Sequence, residues 1–117
     1  MSDRNPPPGK ITVSAGVLIT IAHMSALGVR GVKAVGQPAS ARDRLLGGHK
    51  GGGVHLANDD GVISGDMYLV VKAGFNVREV CRDVQQQVAR ALQEMAGMTV
   101  ARLDIHVENI DYEGTEA

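Results

Sequence analysis

Four histidines, His23, His49, His55 and His106, and one cysteine, Cys81, are the side chains here best suited to metal binding or nucleophilic chemistry. A zinc site needs three or four such ligands at short regular spacings, and a nucleophile needs a base beside it. The histidines are scattered, no two stand at i, i+4, and none has a cysteine near it. The spacing predicts no metal and no cofactor. Cys81 falls among Val77 and Val84 at helical intervals, the setting of a buried, inert thiol. Asp104 and His106 stand two apart in an alternating segment and so share its outward face. A solvated pair is the simpler reading there than half of a catalytic set. No catalytic residue is assigned.

Glycines are the next chemical signal. Gly47, Gly48, Gly51, Gly52 and Gly53 crowd one segment. No Gly-Lys-Ser/Thr follows them, so they are not a phosphate-binding P-loop, and they do not join a strand to a long helix as a dinucleotide fingerprint must. Gly48-His49-Lys50-Gly51 does match the Gly-x-x-Gly form with which KH domains clamp RNA backbone. A KH-like RNA-binding module is therefore the alternative reading. Two glycines at that spacing arise readily in a chain that has 15.

Charge is distributed unevenly. Between Arg30 and Lys50, the cations Arg30, Lys33, Arg42, Arg44 and Lys50 face only Asp43. From Asp104 onward the charges are all acidic, Asp111 and Glu113 among them. Two solvated surfaces that differ would explain this. So would a polar molecule that stacks its basic segment on the acidic end of another copy, an open contact that generates filaments, or one that rests its basic loop on anionic lipid or an acidic partner.

The elements that must position these residues follow from periodicity. Pro6-Pro7-Pro8-Gly9 reads as an extended arm (residues 1–9). Lys10 to Val13 alternates as a short strand, and Ser14 suits a helix N-cap. Val17, Leu18, Ile21, Met24 and Leu27 recur at helical spacing up to Gly28. Ala15 to Val29 carries no formal charge, so its other side, with Ile19, Ala22 and Ala26, is unusually apolar for a surface helix. It is either covered by the 36–53 loop or an association surface. Val29 to Val35 reads as a strand. Val54 to Asn58 and Val62 to Lys72 form a hairpin across Asp59-Asp60-Gly61. In the second of these strands Ile63, Met67, Leu69 and Val71 face one way and Ser64, Asp66, Tyr68 and Lys72 the other. Asn76 with Glu79 makes a capping pattern for a helix whose stripe is Val77, Cys81, Val84, Val88, Ala91 and Met95. Thr99 to Ile110 is a closing strand with Leu103, Ile105 and Val107 inward, and 111–117 is an acidic tail.

The predicted order is β-α-β-β-β-α-β. The fold class is α+β, a two-layer sandwich with a small mixed sheet under two helices, close to a split βαβ arrangement. The last helix serves as a right-handed crossover between parallel strands. One domain over residues 10–110 accords with 117 residues, 44% hydrophobic composition and a net charge of -1. The charge balance argues against a nucleic-acid coat, and one cysteine gives no sign of an oxidising compartment. No stretch is long and apolar enough for a signal peptide or a membrane span.

The residues just described resemble the alkaline shock protein family of bacterial cell-envelope stress proteins. Four segments carry the resemblance. They are Gly9-Lys10-Ile11-Thr12-Val13-Ser14 before an apolar helix, Leu27-Gly28-Val29-Arg30-Gly31-Val32 after it, Met67 through Val80, and Ala96-Gly97-Met98-Thr99-Val100 running into Leu103 to Val107. They occur in order across nearly the whole chain. Arg30 stands where a proline is common, and Ala73 and Phe75 depart from the usual pattern around the turn. The resemblance implies a small non-enzymatic cytoplasmic protein of the envelope stress response. It also implies a self-associating scaffold or adaptor near the inner membrane face, held there by a small membrane-anchored partner. It supplies no catalytic residues. The candidate interaction surface is Ile19, Arg30, Lys33, Arg42, Arg44, Lys50, Asp111 and Glu113.

Overall fold

Ser14 starts the first helix: its Oγ accepts a hydrogen bond from the Val17 N–H at 3.3 Å, satisfying a donor that has no partner inside the helix. The computed structural model describes residues 8–36 and 52–112. Helix α1, Ala15–Leu27, follows the cap directly. The short strand expected over Lys10 to Val13 does not form. Ile11 is 92% exposed and only Val13 packs against the core. Four alternating residues become a strand only when a sheet edge meets them, and here the chain turns into helix instead.

The buried side of α1 also differs from the expected one. Leu18, Ile21, Ala22 and Ala26 face the core, whereas Val17, Met24 and Leu27 lie outside. With no charged residue in the helix, periodicity had no polar face from which to orient it. Packing placed the small Ala22 and Ala26 in the tightest contact, both 0% exposed.

Strand β1, Val32–Val35, comes next, then β2, Val54–Asp59, and β3, Val62–Lys72. The β2–β3 hairpin forms as predicted: Asp60 and Gly61 both have positive φ (55° and 88°), which matches the strands' twist, and Asn58 Oδ1 accepts from Gly61 N at 2.9 Å. Helix α2, Val77–Ala96, begins at Asn76, whose side chain accepts from Glu79 N at 3.0 Å. Its buried line is Val80, Val84, Val88 and Leu92. The stripe that spacing predicts is rotated from this line. Val84 and Val88 belong to both lines, but Met95 is 71% exposed and Cys81 only partly buried. Strand β4, Thr99–Asp111, closes the chain.

The sheet is built around β3. Strand β4 pairs with it in parallel from Val62↔Thr99 to Lys72↔Asp111 and so takes one whole edge. On the other edge β2 pairs antiparallel with the first half of β3 and β1 antiparallel with the second. The two short strands therefore lie end to end. The sheet is mixed, α2 joins its two parallel strands, and two helices cover it: the predicted two-layer α+β sandwich, without its first strand. Ile63, Met67, Leu69 and Val71 of β3 are fully buried in the core beneath the helices, as their alternation required.

Candidate functional site

Alternation in β3 leaves Asp66 and Tyr68 on the face away from the helices. The register sets His55 of β2 opposite Asp66 and His106 of β4 opposite Tyr68. Three rings from three strands meet there. His106 stacks on Tyr68 with centroids 4.7 Å apart and planes 19° from parallel, and His55 meets Tyr68 edge-on at 6.0 Å. The stack aims His106 Nε2 at Asp66 Oδ1, 3.0 Å away. That hydrogen bond is the main reason the Asp66 carboxyl is held below the usual aspartate range; desolvation opposes it, and the nearby Arg102 charge adds lesser help.

The pairing of Asp104 with His106 suggested by their shared face is not made. Asp104 holds Arg102 at 2.5 Å, while His106 takes its diagonal neighbour across the strand boundary. His55 and Tyr68, with Gly36, Gly53 and Glu108, line a shallow pocket of about 240 Å³. A histidine–carboxylate pair can orient an imidazole, but this one lies on an open surface. Among the described residues no group of three or more His, Cys, Asp or Glu gathers to hold a metal.

The candidate interaction residues are dispersed. Ile19 is partly buried against the core. Arg30 is exposed, its guanidinium 5.5 Å from the Phe75 ring centroid. Lys33 and Asp111 form an ion pair at 3.5 Å within one chain. For these two residues the basic and acidic segments adjoin and do not mark opposite poles. Strand order brings them together, since β1 and β4 both reach the C-terminal end of β3, and nothing in the sequence announces that. Arg42, Arg44, Lys50, Glu113 and the Gly48–Gly51 element lie outside the described residues.

Spacing missed a second surface. Val17 (47% exposed), Met24 (66%) and Met95 (71%) make an apolar ridge where α1 crosses α2. Grooves of about 640 and 710 Å³ flank it, and Met24, Ser25 and Met95 line both. Met95 joins α1 only through helix–helix packing, so no local pattern could reveal the pair. A third groove, about 370 Å³, separates α2 from β4. Cys81, Gln85, Ile105 and Val107 line it, and Gln85 Nε2 donates to Leu103 O at 2.9 Å. Partial burial pushes the Cys81 thiol up, as expected of a structural rather than a reactive cysteine.

Known structures and sequences agree with this architecture. MamM CTD in its copper form superposes with a TM-score of 0.59 at 16% identity, covering 87% of this chain and 92% of that one. A MamM CTD variant in its manganese form gives 0.54 at 17%, covering 79% and 94%. At such identities the likeness is one of fold. Spy1535 of Streptococcus pyogenes, an uncharacterized protein, is 32% identical over 108 residues, 92% of this chain and 83% of its own length. YqhY of Bacillus subtilis, also uncharacterized, is 28% identical over 107 residues, 90% and 79% respectively. The family model of alkaline shock protein 23, described by a cell envelope-related function, matches residues 4–112. With that match over nearly its whole length, the chain belongs to the alkaline shock protein family.

Proposed function

We propose that this protein is a non-enzymatic scaffold or adaptor of the cell-envelope stress response. In this reading it works in the cytoplasm near the inner membrane face, through self-association and through protein partners that include a small membrane-anchored protein. The observation that carries the reading is the ridge of Val17, Met24 and Met95. An apolar strip on two packed helices, flanked by grooves, is what a partner's apolar segment seats against. Family membership adds the envelope setting. No helix among the described residues is long and apolar enough to cross a membrane; in this reading a membrane-anchored partner supplies the proximity.

The test is recovery of partners from crosslinked, nuclease-treated cells with the tagged full chain and with the double variant Met24→Glu, Met95→Glu. Both side chains are exposed, so the variant should keep its fold, checked by thermal melting. Recovery of a small membrane protein by the parent and its loss with the variant is the expected outcome. Equal recovery would remove the ridge from the argument. Ribosomal or RNA-processing proteins that vanish with nuclease would turn the reading to RNA binding.

A further inference from the structure

Among the described residues strand β4 is a sheet edge. It spans 13 residues, and among the described residues its only strand partner is β3. Register shifts against β3 fall near its two ends, around Ala101 and Glu108, and leave a regular stretch from Arg102 to Val107 between them. That stretch contains no proline and no lysine, two of the residues that protect exposed edges; its charges, Arg102 and Asp104, are of opposite sign and point outward. Its inward side is incompletely covered. Leu103 is 6% exposed, but Ile105 and Val107 are only partly buried and line the open groove beside α2.

We propose that β4 pairs antiparallel with β4 of a second copy of this chain, about a two-fold axis through Ile105, so that two four-stranded sheets become one. This deepens the self-association in the functional reading above, on which it rests, by naming the surface. The argument is charge complementarity. A two-fold axis perpendicular to the sheet keeps like faces together, so only registers that shift by two residues are allowed. With Ile105 opposite itself, Arg102 stands opposite Glu108, Asp104 opposite His106, and Leu103 opposite Val107. Both outward pairs are then complementary and both inward pairs apolar; the outward pairs extend the Arg102–Asp104 and His106–Asp66 pairs made within each chain into a network across the axis, with Glu108 at the register shift. Centring on Asp104 instead would set Asp104 against itself, and centring on His106 would set Asp104 against Glu108. Both place like charges in direct opposition. Registers centred on Leu103 or Val107 also avoid like charges, but they set Ile105 opposite Ala101 or Asn109, at or beyond the register shifts, so the register centred on Ile105 is the one that keeps complementary charges together with apolar inward pairs. It also covers the inward side chains that α2 leaves half open.

The test uses the full chain with Cys81→Ser, so that any crosslink reports on an introduced cysteine. Ile105→Cys should form a covalent dimer under mild oxidation, since residues opposite one another in an antiparallel pair have Cα atoms about 4.5–5.5 Å apart, within disulfide range. In the parent chain, Arg102→Glu should raise the dimer dissociation constant by about tenfold or more. Adding Glu108→Arg to that variant should restore it. Dimers that crosslink through Met24→Cys but not Ile105→Cys would overturn this interface and leave self-association standing. A chain that sediments as a monomer at every concentration would overturn both. Failure of the charge swap to restore pairing would overturn the register.

Discussion

Gly36 and Gly53 meet backbone against backbone where β1 and β2 abut on one edge of β3. Tyr68 holds both: it accepts from Gly36 N at 2.6 Å and donates its own N–H to Gly53 O at 2.8 Å. The open sheet face and the two ends of the 37–51 segment are thus tied to one residue, whose ring carries the His106 stack. Both glycines have positive φ, 82° and 91°. A Cβ at residue 36 would lie 2.6 Å from Gly52 O, and one at residue 53 would strike the Gly36 backbone.

Alanine at either position therefore meets unfavourable backbone torsion and a collision with main chain, which has no rotamer to yield. Gly36→Ala and Gly53→Ala should each cost about 2 kcal/mol or more in urea unfolding. A loss of only a few tenths for either would mean that the two strand ends are not pinned together.

Leu92 and Met95 separate the observed face of α2 from the stripe that spacing alone suggests. Leu92 is 0% exposed and Met95 71%. Leu92→Ala should lower stability by about 2–5 kcal/mol, whereas Met95→Ala should stay within about 0.5 kcal/mol. Denaturant curves of the two variants check this directly. Comparable losses would return Met95 to the core.

Asp66 should titrate below an ordinary aspartate because His106 donates to its carboxylate. A carboxyl whose folded-state pKa is depressed stabilises the protein above its unfolded-state value, near ~3.9. That contribution is lost as pH falls through the lower folded value. The dependence is therefore confined to acid below about pH 4. An NMR titration of the Asp66 carboxyl carbon should show a low midpoint that rises toward normal in His106→Phe. An unchanged midpoint would mean that the pair does not persist in solution.

Cys81 should alkylate slowly. Burial raises its thiol pKa, which lowers the thiolate population at pH 8, and thiolate is the reacting species. Iodoacetamide should label it several-fold more slowly in the native protein than in 6 M guanidinium. Labelling at equal rates in both conditions would mean that partial burial does not protect the thiol.

Local chemistry determined the parts of this protein that depend on neighbours in the chain. The Asp60–Gly61 turn formed because two adjacent residues accept positive φ. Asn76 and Ser14 capped their helices because a side-chain oxygen reaches an N–H three residues on. Ile63, Met67, Leu69 and Val71 turned inward because a strand alternates. The fold class followed from the number and order of such elements, and the family from their motifs. Tertiary structure alone decided which side of α1 is buried, because α1 has no charged residue to mark its outer face. Helix α2 does mark its own, with Val80, Val84, Val88 and Leu92 recurring every fourth residue among charged and polar ones. The stripe through Val77, Cys81 and Met95 overlooked that line. Tertiary structure decided that Lys10 to Val13 would find no partner strand. It also decided the surfaces. Met24 and Met95 come to line the same grooves, Lys33 meets Asp111, and His106 takes Asp66 instead of Asp104, because the order of strands and the crossing of helices set which distant residues become neighbours. Spacing along a chain encodes direction within an element and carries no information on what lies beside it.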